Sequence, residues 1–500
     1  MIKLNWIYLL IFSLGIYSCS SDDVIDDKDP VNPPSPPSMS QKAEINDFIY
    51  KGMNFWYYWK DEVPVLADNR FSSNNDYSIF LNENEPENLF YTLLYDYQKV
   101  DRFSWIVDDV DELLKSFSGV SKSSGMDLSL AYLDQNQGTV LALVNYVAHD
   151  SPADKQGVER GDLIIAVNGS QLTDKNYTAL FSDSFNATLG KRPSIQNGGI
   201  TIEGQAEVRI NAVELEENPV HYKQVYNVGD KKVGYLVYNG YKAVYNDELN
   251  AAFGEFKNAG VTDLILDLRY NGGGSLSSAV GLSQMITGQF TNSPFVSLEF
   301  NKNLSSENVM YKLENEISIY DFVNGQTKLV GTEPINSLYL NKVYVLTSGA
   351  TASASELTVV GLSDYINVTL IGSTTYGKFV GSTTLYDSPE EDYLSYEKRN
   401  KSHNYAMQPI IFSYFNSSHQ TYTQGLEPDF MFGLDSYIGM RDFGEVEDAA
   451  FSKALNLITG QSFRKSQSER LSNEPRFIGT SKTLQKFGTE LYIDPGMLQQ

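Results

Sequence analysis

Ser353, Lys378 and the glycine run ending at Gly274 are the residues of this chain whose types and surroundings could carry chemistry together. Asp267-Leu268-Arg269-Tyr270-Asn271-Gly272-Gly273-Gly274 reads as a strand running into glycines at a helix start, where the backbone can turn and present N–H groups to an anion or a developing oxyanion. Thr347-Ser348-Gly349-Ala350-Thr351-Ala352-Ser353-Ala354-Ser355-Glu356 is again strand into helix and is built almost wholly of small residues. A serine there has its oxygen near the positive end of the helix dipole, and small neighbours let a peptide backbone approach it. Thr375-Tyr376-Gly377-Lys378 adds an amine, which can act as a general base only when uncharged; burial or a cationic neighbour must then lower its pKa from about 10.4. Taken singly, each piece also suits ordinary structure: a tight turn, a close-packed capped helix, a solvated lysine after glycine.

The elements that must position these pieces follow from hydrophobic patterning. From about Lys223 strands and helices alternate: Val233–Tyr238 strand, Asp247–Lys257 amphipathic helix, Leu264–Leu268 strand, a glycine turn and a helix over Leu276–Ile286. After a less regular stretch come the strand Val343–Leu346, a helix, and the strand Val368–Gly372, which predicts α/β architecture. Between Gly119 and Val213 the chain changes to short strands and turns, with a strand at Thr139–Val144, a short helix opened by Ser151-Pro152-Ala153, and the strand Leu163–Val167 closed by an Asn168-Gly169 turn. Upstream, Ile45, Phe48, Ile49, Met53, Trp56 and Trp59 recur at helical spacing from Gln41 onward, and two further helices are predicted, from Pro86 through Phe90, Leu93 and Leu94 and over Val110–Phe117. The aromatic stripe of this small helical domain is read as core.

The segment with "DSPADKQGVERGD" followed by "LIIAVNG" resembles a PDZ domain. In that family an extended peptide adds a strand beside a groove, and a loop of backbone amides captures its terminal carboxylate. The resemblance implies that the tail-binding loop is Ser124, Gly125, Met126, Asp127 and Leu128, immediately before a strand Ser129–Leu133. Asp127 departs from the usual loop, since its charge opposes a carboxylate, and a role as a hinge or lid stays open.

In this order and behind a PDZ-like segment, "DLRYNGGG", "TSGATASASE" and "TTYGKFVGS" resemble the carboxyl-terminal processing (tail-specific) peptidases, and the likeness extends to Gly425-Leu426-Glu427-Pro428-Asp429. "INDFIYKGMNFWYYW" and "DRFSWIVDD" are similar to the N-terminal domain of that family's Bacteroidetes branch. The resemblance implies a multidomain α/β protein with a crotonase/ClpP-like catalytic domain. Its expected layout is a signal peptide at 1–18, a lipidated acidic and proline-rich tether at 19–40, a helical domain at 41–118, a PDZ-like domain at 119–213, a serine peptidase domain at 214–460 and a C-terminal extension at 461–500. It implies Ser353 as nucleophile, Lys378 as general base, and oxyanion donors from Ala354 and from Gly273 or Gly274, with an acyl-enzyme hydrolysed by water. The glutamine that usually follows the lysine by four residues to orient it is Ser382 here, so either Ser382 takes over that bond or the pair works as a bare dyad. A tricorn-like histidine base has no motif among His149, His221, His403 and His419. The rivals are a non-catalytic surface peptide-binding protein on the same fold and a crotonase-type hydratase, the latter disfavoured by the signal sequence and by the lack of a nucleotide-binding pattern.

A net charge of −25, with 63 acidic and 38 basic residues and no basic tract, disfavours nucleic acid as a partner and leaves protein or peptide substrates. The 33 tyrosines and 26 phenylalanines supply core material, so most of the chain reads as globular. No cofactor is called for: four histidines and one cysteine form no metal-ligand pattern. The sole cysteine, Cys19, follows Lys3, an apolar run from Trp6 to Tyr17 too short to span a bilayer comfortably, and Ile16-Tyr17-Ser18, which together resemble a secretory signal ending in a bacterial lipobox. The expectation is an outer-membrane lipoprotein anchored through Cys19. The following Ser20-Ser21-Asp22-Asp23 run resembles a surface-export signal, but a spacer facing the periplasm fits as well.

Overall fold

The helical repeat at the N-terminal end forms because one side of it has a core to meet. Helix α1 (Met39–Trp56) buries Ile45, Phe48, Ile49 and Met53 against Leu89, Phe90 and Leu93. The computed structural model describes residues 39–134, 136–462, 471–472, 475–485, 488–493 and 497. The expected signal at 1–18, Cys19 and nearly all of the tether at 19–40 lie outside the described residues. No described helix is long and apolar enough to cross a membrane. The helix stops at Trp56, so Trp59 lies past its end. Helix α2 (Asn74–Glu83) was not foreseen, because its sequence is mostly polar; Ser73 caps it by accepting the Asp76 N–H at 3.1 Å. Helix α3 (Pro86–Thr92) opens on the predicted proline but ends before Leu93 and Leu94, and α4 (Val110–Phe117), capped by Asp109, has the predicted bounds.

The PDZ-like region is an antiparallel sheet of β1 (Met126–Asp134), β2 (Thr139–Val147), β3 (Leu163–Val167), β4 (Ser184–Lys191) and β5 (Gly204–Asn211), in the order β5-β4-β3-β2-β1. Strand β1 begins at Met126, three residues earlier than expected, so the expected loop residues Met126, Asp127 and Leu128 are strand. The Asn168-Gly169 turn takes positive φ at both residues (50° and 76°), as a tight hairpin requires.

Downstream, β6 (Val220–Val228), β7 (Lys231–Tyr238), helix α5 (Asn246–Ala259), β8 (Asp263–Asp267), β9 (Gly274–Ser275), helix α6 (Leu276–Thr287), β10 (Lys342–Thr347), helix α7 (Ala354–Ser363), β11 (Asn367–Gly372), β12 (Val380–Ser382), β13 (Ile410–Asn416), β14 (Phe430–Met431) and helix α8 (Ala449–Thr459) build the α/β part. Its main sheet runs β6-β7-β8-β10-β11-β14, antiparallel at β6 and parallel elsewhere. Both faces are covered: Leu236, Leu266 and Val345 point into one core, while Val237, Ile265 and Leu346 point into the other with Phe451 of α8. The less regular stretch resolves into antiparallel strands, among them Pro294–Phe300, which joins a second sheet through β13.

Two far-downstream strands complete these sheets. β15 (Arg476–Thr480) adds to the β1 edge of the PDZ-like sheet, and β16 (Leu491–Tyr492) lies between β9 and β12.

A buried ionic cluster ties the regions together. Arg269 Nε and Nη2 donate to Asp267 at 2.9 and 2.6 Å, and Nη1 and Nη2 donate to Asp448 at 3.0 and 2.7 Å. Arg160, which leaves the PDZ-like region just before β3, donates to the same Asp448 at 3.0 Å. Burial alone would raise the Asp448 carboxyl, but Arg269 and Arg160 outweigh it and bring it from 3.8 down to about 2. Its stabilising contribution is therefore full above the unfolded value near 3.8 and is lost as pH falls through about 2. Asp448→Ala should lower unfolding free energy at pH 7 by about 3–5 kcal/mol, since two buried guanidinium groups lose a partner. Urea titrations at several pH values should show the gap to wild type closing below about pH 4.

Candidate functional site

Ser353 precedes α7 with φ 63° and ψ −115°, a conformation that a residue bearing a side chain adopts only under constraint. Part of the constraint is Glu356, whose Oε2 accepts the Ser353 N–H at 2.8 Å. The same Oε2 accepts the Lys378 N–H at 2.9 Å, and Oε1 accepts the Gly377 N–H at 2.7 Å and the Thr375 hydroxyl at 2.5 Å. One carboxylate thus brings the serine that opens α7 and the lysine that precedes β12 onto a single oxygen. Burial holds its carboxyl above the ordinary value although four donors oppose that shift.

Other bonds hold the strand-to-helix turn in place. Thr351 donates its hydroxyl to the Leu268 carbonyl at 2.8 Å, Ser355 donates its hydroxyl to the Asn271 carbonyl at 3.1 Å, and the Ala352 N–H goes to the same carbonyl. Small residues are required here: a Cβ on Gly273 would stand 2.7 Å from Ser353 Cβ. The Gly273 N–H donates to Asn271 Oδ1 at 2.9 Å, whereas the Gly274 N–H donates to the Glu490 carbonyl. Of the two glycines expected to supply an oxyanion donor, Gly273 is held by the side chain of its own turn and Gly274 by a main-chain carbonyl distant in sequence. Ala354 is the first residue of α7, next to Ser353.

Ser353 and Lys378 are both fully buried (0% exposed). Ser353 Oγ has no hydrogen-bond partner among the described residues. Lys378 Nζ donates instead to the Thr489 carbonyl at 2.6 Å and to Glu490 Oε2 at 3.2 Å, under the Phe103 ring at 5.1 Å. Ser382 does not take the place of an orienting glutamine: its hydroxyl donates to the Leu491 carbonyl at 3.2 Å and accepts from Gln408 Nε2 at 3.0 Å.

The PDZ-like loop is also arranged differently from the expectation. The Gly125 and Met126 N–H groups donate to the hydroxyls of Ser123 and Ser124, and the Leu128 N–H donates to Ser481 Oγ at 2.8 Å. Asp127 is buried and accepts from Asn145 at 2.7 Å; burial raises its carboxyl to about 6. Glu356 is visible in the sequence only as the last letter of its motif, Trp105 only as part of "DRFSWIVDD", and Glu490 carries no local signal. Their contacts join residues far apart in the chain.

The model of peptidase family S41 matches residues 232–432, that of the peptidase S41 N-terminal domain 44–105, and that of the PDZ domain 143–179. The carboxy-terminal processing protease CtpA of Bacillus subtilis is 26% identical over 279 residues, covering 56% of this chain and 52% of the relative. A CtpA-like serine protease of Staphylococcus aureus is 26% identical over 234 residues, covering 47% of this chain and 41% of its own length. The chain thus aligns with about half of the curated relatives it matches. A solved structure from Bacteroides fragilis, described as an S41 protease, superposes with TM-score 0.63 at 25% identity, covering 83% of this chain and 97% of that one.

Glu356→Gln would turn an amide NH2 toward two of the four donors. It should lower stability by about 1–3 kcal/mol for each donor left unmatched, read by urea unfolding. The Gly377 and Lys378 amides should exchange faster in the variant.

Proposed function

We propose that the chain is a serine endopeptidase of peptidase family S41 acting on protein or peptide chains, with Ser353 as nucleophile and Lys378 as general base; the family models matched at 44–105 and 232–432 support this reading. The observation that carries this reading is the convergence of the Ser353 and Lys378 backbones on Glu356, beside a Gly274 N–H that donates to the Glu490 main-chain carbonyl.

Chemically, uncharged Lys378 takes the Ser353 hydroxyl proton as Oγ attacks the peptide carbonyl. The Gly274 N–H, with that of Ala354, stabilises the tetrahedral oxyanion, and the proton passes to the leaving amine. Water then hydrolyses the acyl-serine, with Lys378 again taking and returning a proton. The amine must first turn from Thr489 and Glu490 toward Ser353, where Oγ has no competing bond. The PDZ-like sheet takes an extended segment at the β1 edge.

The same reading includes an outer-membrane location. Cys19 is the lipidated residue and 19–40 the tether, supported by the apolar run before it and the acidic, proline-rich stretch after it.

Ser353→Ala and Lys378→Ala should each reduce hydrolysis of a dye-labelled unfolded protein by at least about a thousandfold while leaving the circular dichroism spectrum unchanged. Full activity in either folded variant would remove the mechanism and leave a peptide-binding protein. Cys19→Ser should move the protein from the membrane fraction to the soluble fraction, as read by immunoblot of fractionated cells. Shaving of intact cells by added protease separates a surface from a periplasmic orientation.

A further inference from the structure

Part of the chain's own C-terminal region lies along the path from the PDZ-like sheet to Ser353. β15 pairs antiparallel with β1, with Arg476 opposite Tyr132 and Thr480 opposite Ser129, so it runs toward the start of β1 in the direction of an added peptide strand. Ser481 accepts the Leu128 N–H. Lys482 and Gly488 line a cavity of about 600 Å³ together with Gly125, Asp127 and Lys242.

Within the cleft, the Glu490 carbonyl accepts the Gly274 N–H, and a Cβ at Gly273 would meet both that oxygen (2.3 Å) and Ser353 Cβ (2.7 Å). The Glu490 carboxylate takes Lys378 Nζ on one oxygen and Trp105 Nε1, at 3.0 Å, on the other. Leu491 and Tyr492 extend the strand beside Gly274 and Ser275, and Tyr492 pairs with Ser382 on the other side.

We propose that residues 475–485 and 488–493 act as an intramolecular competitor occupying the substrate path, and that this path takes the interior of an extended polypeptide. The inference deepens the peptidase reading and rests on it for the meaning of the cleft. Two features separate the segment from a bound product of tail recognition. It continues beyond the PDZ-like edge, and the loop amides that would hold a carboxylate donate to Ser123 and Ser124. Two features make it an obstacle. A cleft whose nucleophile and base are both 0% exposed has no room for a second chain. Lys378 Nζ is also engaged by the Thr489 carbonyl and the Glu490 carboxylate instead of by Ser353 Oγ.

The test uses the full chain with Glu490→Lys, which sets an ammonium against Lys378 and should displace the segment. Expected are a rise of at least about tenfold in hydrolysis of a dye-labelled unfolded protein, and faster hydrogen exchange at the Leu128, Gly274 and Leu491 amides. A synthetic peptide of residues 475–493 should raise the KM of the variant without changing kcat, and the same peptide carrying Glu490→Lys should not. Should Glu490→Lys fail to fold, Glu490→Gln keeps the shape, removes the charge and should give a smaller rise. Unchanged exchange at the three amides, together with no inhibition by the peptide, overturns the proposal. If no variant cleaves anything but the amides lose protection and the labelled peptide binds, the peptidase reading fails while the occupancy of the cleft stands.

Discussion

The site depends on one buried carboxylate. Glu356 gathers the N–H groups of Ser353, Gly377 and Lys378 and the hydroxyl of Thr375, so the start of a helix and the turn after a distant strand share a single acceptor group. Withdrawing a carboxylate from water is costly, and the cost is offset only while all four donors stay in place. The arrangement is therefore close to all-or-none. It also holds Ser353 in a backbone conformation that it would not adopt in an ordinary helix cap.

Around that acceptor the parallel sheet supplies rigidity. β8 and β10 are neighbours, so the glycine turn after one and the small-residue turn after the other emerge side by side at the same end of the sheet. Thr351 and Ser355 reach across to the carbonyls of Leu268 and Asn271 and close the gap between them. Below, the Arg269, Asp267 and Asp448 cluster, with Arg160, links the first turn to α8 and to the PDZ-like sheet. An unbroken set of ion pairs through Asp448 therefore joins the PDZ-like region to Arg269, which precedes the glycine turn.

The segment bearing β15 and β16 changes what the cleft means. Most of its bonds on the PDZ-like edge and in the cleft are backbone bonds, which any extended chain could make, whereas the Glu490 carboxylate depends on its own side chain. The ladder positions suit any extended chain, and the carboxylate contacts belong to this segment alone.

Much of this was readable from the residues. The helical repeat of Ile45 to Met53, the strands at 233–238, 264–267, 343–346 and 368–372, and the serine, lysine and glycine pieces all have local patterns, because side-chain periodicity and turn chemistry act over a few residues. Helix α2 was missed because its polar composition gives a weak pattern, and the start of β1 was placed late because strand ends depend on their partners. The identity of the donors, acceptors and nucleophile candidates was thus set by sequence. Folding alone decided that Glu356 would receive both backbones, that Gly274 would meet the Glu490 carbonyl, that Ser382 would serve Leu491, and that Glu490 would sit on Lys378. Those outcomes are contacts between residues far apart in the chain, and no local pattern encodes which of several equally suitable partners the tertiary packing brings within hydrogen-bond reach.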